Sequence, residues 1–125
     1  MQSAQFGVHA AMEETHWWFL ARRRIIRELV HRVIPPSSSE LIVDVGCGTG
    51  GNLAAFAQEY ACLGIDPSAE AIRLAGRRFP HTRFVCGSDL SALGEAHAQG
   101  SVFLLLDVLE HVPDDFWLLS NLLEG

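Results

Sequence analysis

The chain has 125 residues, of which 49% are hydrophobic and 19% are charged. This length allows one domain, and the balance is that of a globular protein, which excludes disordered and low-complexity classes. Nine Arg against fifteen Asp and Glu give a formal net charge of −6. An acidic chain of this kind argues against a sequence-independent nucleic-acid binder, which needs clustered positive charge.

The three cysteines are Cys47, Cys62 and Cys86. They are odd in number and lie far apart in the chain, which fits neither a disulfide framework nor a zinc site. The N-terminus lacks a signal-peptide pattern, and no apolar run reaches the roughly 18 residues of a membrane span. We therefore expect three reduced thiols, no metal site and no membrane span in a cytoplasmic protein.

A helical pattern begins at Glu13 and is ended by Pro35 and Pro36. We expect its apolar face, including the Trp17-Trp18-Phe19 cluster, to pack on the domain that follows. Two alternatives are a lid over a bound ligand and a helix on a membrane surface. The face consists of two neighbouring apolar stripes: Trp17, Ala21, Ile25, Leu29 and Val33, beside Trp18, Ile26, Val30 and Ile34.

Strands and helices alternate from residue 40 onwards, which predicts βαβ units and a parallel sheet covered on both faces. Four strands are predicted, fewer than open sheets of this kind usually have. We therefore expect the front part of a larger α/β domain. The predicted strands are Leu41–Val45, Ala61–Ile65, Thr82–Cys86 and Ser101–Asp107, and the predicted helices are Asn52–Tyr60, Ala69–Phe79, Ser91–Ala98 and one that Pro113 opens.

The strongest functional signal is the segment Leu41–Gly50, a strand that runs into a glycine-rich turn and is followed by a helix. Glycines allow the backbone to turn tightly and to approach a ligand closely. Asp66 stands at the tip of the second strand, where an acidic side chain can accept both hydroxyls of an adenosine ribose. Gly46, Gly48 and Gly51 satisfy G-x-G-x-x-G, so a dinucleotide is one candidate ligand. Asp44 disfavours it, because a carboxylate repels a pyrophosphate and attracts a cationic ligand.

With these motifs the chain resembles the class I S-adenosylmethionine-dependent methyltransferases. The similarity is strongest to the small-molecule branch whose fourth strand ends in Asp-Val-Leu-Glu-His-Val, and Glu14–Phe19 looks like a leader seen before such domains. The resemblance covers about residues 13–120. The matching segments are Val43–Gly50, Gly64–Ser68 and Asp107–Val112.

The resemblance implies a set of residues that bind S-adenosyl-L-methionine. Asp66 would bind the ribose hydroxyls, Pro67 would flank the adenine, and either Ser88 or Asp89 would contact the adenine amino group. The same resemblance places Asp107 among the cofactor-binding residues. The methionine portion would lie against Asp44, Gly46, Cys47, Gly48 and Gly50.

Glu110 and His111 are the candidate catalytic residues. They follow the fourth strand, near the expected position of the transferable methyl group. Methyl transfer requires alignment of the nucleophile and, for some acceptors, removal of a proton, and His111 has a suitable intrinsic pKa for that role. The alternative is that Glu110 and His111 only fix the turn after the strand.

The combined interpretation is an amphipathic helical segment over residues 1–36 and a partial Rossmann-like domain over residues 37–125, with strand order 3-2-1-4. The resemblance implies a methyltransferase that acts on a small molecule and yields S-adenosyl-L-homocysteine. The alternatives are an NAD(P)-dependent oxidoreductase and a non-catalytic cofactor-binding or assembly fragment. Because the later strands of the family are absent, we expect a homodimer through the fourth strand or the final helix.

Overall fold

The computed structural model describes residues 7–8, 17–36, 40–87, 100–106, 116–117 and 119–120. The predicted helices over Ser91–Ala98 and after Pro113 lie wholly or mostly outside these residues. The described elements alternate between helices and parallel strands up to the third strand, as the sequence predicts, and the fourth strand follows a stretch outside the described residues. In chain order they are α1 (Trp17–Val33), β1 (Leu41–Val45), α2 (Gly51–Ala54), β2 (Ala61–Asp66), α3 (Ala69–Arg78), β3 (Arg83–Cys86) and β4 (Gly100–Leu104).

The four strands form one parallel sheet in the order β3-β2-β1-β4. In the register of the central pair, Leu41 lies beside Ala61 and Val45 beside Ile65. The first four residues of β1 are buried, which explains why this strand has no alternation of apolar and polar residues. The predicted Rossmann-like topology and strand order are confirmed.

The predicted helix over Asn52–Tyr60 is wrong beyond its first turn. After Ala54 the chain continues in tight turns, in which the Phe56 amide donates to the Leu53 carbonyl and the Glu59 amide to the Phe56 carbonyl. The turns leave both Phe56 and Tyr60 buried in the core. Burial of two aromatic rings outweighs the continuation of a regular helix here.

The fourth strand is shorter than the predicted Ser101–Asp107, because it ends at Leu104. Leu104 pairs with Asp44, one residue before the end of β1. Gly46 then turns the neighbouring chain away with a φ of 77°. Leu105 and Leu106 therefore have no ladder partner on β1, and a strand persists only where its hydrogen-bonding partner does.

The helix α1 packs on the sheet through a face that is rotated from the predicted one. Val30 is 5% exposed, whereas Trp17 is 72% and Trp18 is 52% exposed, so the expected packing of both tryptophans on the domain is wrong. Phe19 is half-buried. The face is selected by a buried cluster that Val30 joins, together with Ile42, Leu53, Phe56, Tyr60 and Leu104.

Polar contacts fix the same face of α1. The Tyr60 hydroxyl donates to the Ile34 carbonyl over 2.8 Å. Arg27 forms an ion pair with Glu59, and His31 Nε2 lies 3.0 Å from Glu59 Oε2. The turn before β2 therefore holds the C-terminal half of α1. Over the described ranges, α1 and the other helices lack the combination of length and apolar character that crossing a bilayer needs.

Candidate functional site

The glycine loop, residues 46–50, connects β1 to α2 at the carboxyl end of the sheet. This is the edge at which open parallel sheets bind their ligands. Gly46, Gly48 and Gly50 all have a positive φ, at 77°, 55° and 85°. Such angles suit glycine, and they let the loop reverse direction within five residues.

Most backbone donors of the glycine loop bond to protein acceptors. The amides of Gly46 and Cys47 both donate to the Ile65 carbonyl, over 2.8 and 3.0 Å, and the Gly50 amide donates to the Cys47 carbonyl over 3.0 Å. The Gly48 amide donates to Asp66 Oδ2 over 2.9 Å. The loop is thus shaped by β2, and these four N–H groups are not oriented toward a ligand.

Asp66 bridges the glycine loop and the turn that begins α3. Its Oδ2 accepts from the Gly48 amide, and its Oδ1 accepts from the Ser68 amide, each over 2.9 Å. An ionised carboxylate has about four acceptor positions, so two backbone bonds leave capacity for two more donors. The half-buried Asp66 therefore has acceptor capacity suited to a pair of ligand hydroxyls at the carboxyl end of β2.

Asp44 is a carboxylate within the central strand, and it is 2% exposed. In the strand register it lies between Gly64 on β2 and Leu104 on β4. Burial, together with the nearby Asp44 charge, raises the pKa of the Cys62 thiol to about 12. Asp44 therefore places one carboxylate two residues before the glycine loop, which favours a cationic group on a ligand.

Phe84 and Gly64 support the loop from β3 and β2, and sequence reasoning assigned neither a role. A Cβ on Gly64 would lie 2.8 Å from both Cys47 Sγ and the Phe84 ring, and a Cβ on Gly50 would lie 2.8 Å from the same ring. Two glycines thus make room for one aromatic side chain. A glycine inside an apolar strand was the available signal, because it often marks a close approach.

Arg78 is a third residue to which sequence reasoning assigned no role. From the last position of α3, its Nη1 donates to Thr49 Oγ1 over 2.9 Å and to the Thr49 carbonyl over 3.1 Å. Thr49 is 2% exposed. No local pattern indicates this contact, since it depends on how α3 returns to the loop.

The structure brings together most of the predicted cofactor-binding residues that it describes. Cys47 is half-buried in the loop, its thiol 3.7 Å from the Gly48 carbonyl. Pro67 is exposed beside Asp66. The Gly87 amide donates to the Asp66 carbonyl over 3.0 Å, so the chain leaves β3 next to this site. The predicted residues Ser88, Asp89, Asp107, Glu110 and His111 lie outside the described residues.

Within the part of the chain that the structure describes, no three His, Cys, Asp or Glu side chains lie close enough together to hold a metal ion. Cys47, Cys62 and Cys86 are all free thiols. The polar groups at the carboxyl end of the sheet are instead two carboxylates and a glycine turn, which suit an organic ligand with hydroxyl and ammonium groups.

Three comparisons place the chain among known proteins. A family profile described as "Methyltransferase domain" matches residues 42–123. The trans-aconitate 2-methyltransferase of Deinococcus radiodurans is 35% identical over 118 residues, which is 90% of this chain and 43% of that protein. The chain spans about two-fifths of the length of the curated relatives it matches.

Solved structures show the same fold. A protein of Methanococcus maripaludis, described as a candidate S-adenosyl-L-methionine-dependent methyltransferase, has a TM-score of 0.74 at 14% identity, over 97% of this chain and 58% of that chain. The N-terminal domain of EvdMO1, solved with S-adenosylhomocysteine bound, has a TM-score of 0.65 at 20% identity, over 83% of this chain and 44% of that chain. The profile match and the glycine loop between β1 and α2 show that this chain belongs to the class I S-adenosylmethionine-dependent methyltransferase family.

Proposed function

We propose that this chain binds S-adenosyl-L-methionine and forms the cofactor-binding part of a methyltransferase that acts on a small molecule. The observation that carries the proposal is the Asp66 carboxylate, which holds the Gly48 amide and retains acceptor capacity for ribose hydroxyls. When bound, the cofactor supplies a methyl group on a sulfonium. Asp44 and the glycine loop would hold its methionine portion, and Pro67 would flank its adenine.

The donor set of the site favours this ligand over a dinucleotide. A pyrophosphate binds where backbone N–H groups at a glycine turn are free to donate to it. Here the amides of Gly46, Cys47, Gly48 and Gly50 already donate to protein acceptors. The buried Asp44 would also repel a pyrophosphate, whereas it would attract the ammonium group of a methionine moiety. The oxidoreductase alternative is therefore not favoured.

The acceptor that we propose is a small carboxylic acid. This part of the proposal is supported by the curated relatives, which are named trans-aconitate 2-methyltransferases. Glu110 and His111 stay candidate catalytic residues, with His111 as a base for an acceptor that must lose a proton. The remaining alternative is a fragment that binds the cofactor without catalysis.

Calorimetry with S-adenosylhomocysteine, NAD and NADP tests the cofactor. We expect S-adenosylhomocysteine alone to bind, and a concentration of 100 times its Kd to stabilise the folded chain by about 2.7 kcal/mol. Binding of NAD or NADP without binding of S-adenosylhomocysteine would contradict the proposal.

The role of Asp66 needs a test that separates ribose binding from support of the loop. We compare S-adenosylhomocysteine with its 2′,3′-dideoxy analogue, using the wild type and Asp66→Asn. Charge-assisted hydrogen bonds contribute about 1.5–3 kcal/mol, so the wild type should prefer the natural ligand by about 10- to 100-fold. Asp66→Asn should lose most of that preference, whereas Glu28→Gln on exposed α1 should retain it. An unchanged preference in Asp66→Asn would remove Asp66 as the ribose ligand.

A methyl-transfer assay addresses catalysis. The chain and any longer product of its gene are incubated with methyl-labelled cofactor and a panel of small acids that includes trans-aconitate. We expect transfer to an acid of this panel. Methyl transfer by the longer product alone would identify this chain as the cofactor-binding part. Absence of transfer by both proteins would contradict the proposed activity toward these acids.

A further inference from the structure

The glycine loop is held on one side by a residue of α3 that the family motifs of this sequence do not include. Arg78 is the last residue of α3, and its Nη1 donates to both the side-chain hydroxyl and the carbonyl of Thr49. Thr49 lies 29 positions earlier in the chain and is almost fully buried. The contact therefore joins two elements rather than stabilising the helix that carries Arg78.

Three contacts restrain three parts of the loop. The Asp66 carboxylate holds the Gly48 amide, Arg78 holds both oxygens of Thr49, and the Phe84 ring packs where a Cβ of Gly50 would lie. Glycine loses more conformational freedom on ordering than any other residue. A loop that is already ordered in the free protein loses little conformational entropy when its ligand binds. These contacts therefore raise affinity through preorganisation.

The guanidinium of Arg78 is itself held in place. Its central carbon lies 4.8 Å from the centre of the Phe79 ring, a distance suited to a cation–π contact. Both bonds to Thr49 come from the one nitrogen Nη1, which carries two hydrogens and can therefore donate to both oxygens at once. The contact with Phe79 restrains the guanidinium plane from which Nη1 reaches them.

We propose that Arg78 is a positioning residue, which holds the glycine loop in the shape that binds S-adenosyl-L-methionine. The inference rests on the proposed function, because it concerns the same cofactor. Arg78 touches the loop and acts on the ligand only through Thr49. Its loss should therefore weaken cofactor binding in a protein that is still folded.

The experiment measures the Kd of S-adenosylhomocysteine by calorimetry, beside the unfolding free energy from urea titration, for Arg78→Met, Arg78→Lys and Arg77→Met. Arg77 is the matched control, because it has the same charge in the same last turn of α3 and is exposed. We expect Arg78→Met to raise the Kd about tenfold and Arg78→Lys to raise it by a smaller factor. Arg77→Met should change the Kd by less than twofold.

A double-mutant cycle with Thr49→Val separates positioning from a general loss of stability. If Arg78 acts through Thr49, the double variant binds about as weakly as the weaker single variant. Amide exchange of residues 49–51 in the ligand-free protein should also accelerate in Arg78→Met, while that of β2 stays unchanged. If Arg78→Met does not fold, Arg78→Lys and Thr49→Val form the cycle.

Two results would overturn the proposal in distinguishable ways. In the first, the wild type binds S-adenosylhomocysteine and the Arg78 variants bind it with the same Kd, or the losses of binding free energy at Arg78 and Thr49 are additive. Either outcome would remove Arg78 as a positioning residue and leave the proposed function intact. Failure of the wild type itself to bind S-adenosylhomocysteine would overturn both the proposed function and this inference.

Discussion

Gly50 occupies a position at which a side chain would be both strained and crowded. Its φ is 85°, and an added Cβ would lie 2.8 Å from Phe84 Cζ and 3.3 Å from the Cβ of Ala75. A left-handed conformation costs an L-residue about 1–2 kcal/mol, and the contact with the ring adds to that cost. We therefore predict that Gly50→Ala lowers the unfolding free energy by more than about 2 kcal/mol, as measured by urea titration.

Two other glycines serve as controls that separate strain from crowding. An added Cβ would meet no atom within 4 Å at Gly48, where φ is 55°, and none at Gly76 within α3. Gly48→Ala should thus lower the unfolding free energy only by the cost of backbone strain, about 1–2 kcal/mol. Gly76→Ala should raise the unfolding free energy by about 0.5–1 kcal/mol, because alanine favours the helix. Equal losses for Gly48→Ala and Gly50→Ala would show that the Phe84 ring moves aside at little cost.

The Cys62 thiol provides a prediction about alkaline pH. Its pKa is raised to about 12 from the ordinary value of 9.0, first by burial and then by the Asp44 charge. Between these values the unfolded chain releases a proton that the folded chain keeps, so stability is complete below pH 9 and falls as the pH rises. The unfolding free energy of the wild type should fall more from pH 8 to pH 10 than that of Cys62→Ala.

The control for this prediction is Cys86→Ala. Because Cys86→Ala leaves the Cys62 thiol in place, the fall in unfolding free energy that Cys62 causes should persist in this variant. Cys86 is also more exposed than Cys62, so a thiol-specific reagent at pH 8 should modify Cys86 first, as peptide mass spectrometry would show. Parallel pH profiles for the wild type and Cys62→Ala would contradict the assignment.

The part of the site that follows from the chemistry of single residues was accessible from the sequence. A glycine turn after a buried strand, with Asp44 before it and Asp66 at the tip of the next strand, predicted a ligand at this edge of the sheet. Arg78 and Phe84 were not accessible in this way. Both act through contacts between elements distant in the chain, and a local pattern gives no indication of where the end of α3 or a ring on β3 will lie.

At the scale of elements, α1 shows how a pattern can predict a helix and still leave its orientation open. Its two neighbouring apolar stripes are both continuous, so either could face the sheet. The choice is made by Val30 in the buried cluster and by the contacts of Tyr60 and Glu59 with α1. The stripe that includes Ile25, Leu29 and Val33 consequently remains exposed.

Adjacent residues of α1 allow this orientation to be tested. Val30 is 5% and Leu29 is 53% exposed. Removing two buried carbon atoms costs about 2 kcal/mol once the cavity is included, so Val30→Ala should lower the unfolding free energy by about that amount. Leu29→Ala should change it by less than about 0.5 kcal/mol, as is usual for surface positions. The reverse order in urea titration would mean that α1 packs through the other stripe.

The bounds of an element were predicted well where residues close in the sequence end it, and poorly where a contact with a distant element ends it. β1 has the predicted bounds, and β2 and β3 differ from prediction by one residue, because apolar runs and turn residues enclose them. α3 begins as predicted, since Ser68 caps it by accepting from the Ala71 amide over 3.2 Å. The ends of α2 and β4 depend on the packing of Phe56 and on the extent of the partner strand, which no local pattern contains.

For the whole molecule, the described residues present three apolar or unpaired surfaces. The first is the exposed stripe of α1. The second consists of the two sheet edges, β4 and β3, each of which pairs with a single neighbouring strand within the described sheet. The third comprises Phe116, Trp117 and Leu119, which are exposed. Open strand edges and large apolar patches both promote association, and a two-fold dimer can cover a pair of them.

We therefore predict that the chain self-associates at micromolar concentration, which sedimentation velocity measures directly. Two of the surfaces have a variant that should not disturb the fold, because the substituted side chain is exposed: Leu29→Glu for α1 and Phe116→Glu for the residues near the end of the chain. A charge at the surface that forms the interface should return the chain to a monomer, since burying it without a partner is costly. Association that survives both variants would assign the interface to an edge of the sheet, at β4 or at β3. A single 13.7 kDa species at every concentration would show that none of the three surfaces binds a second copy.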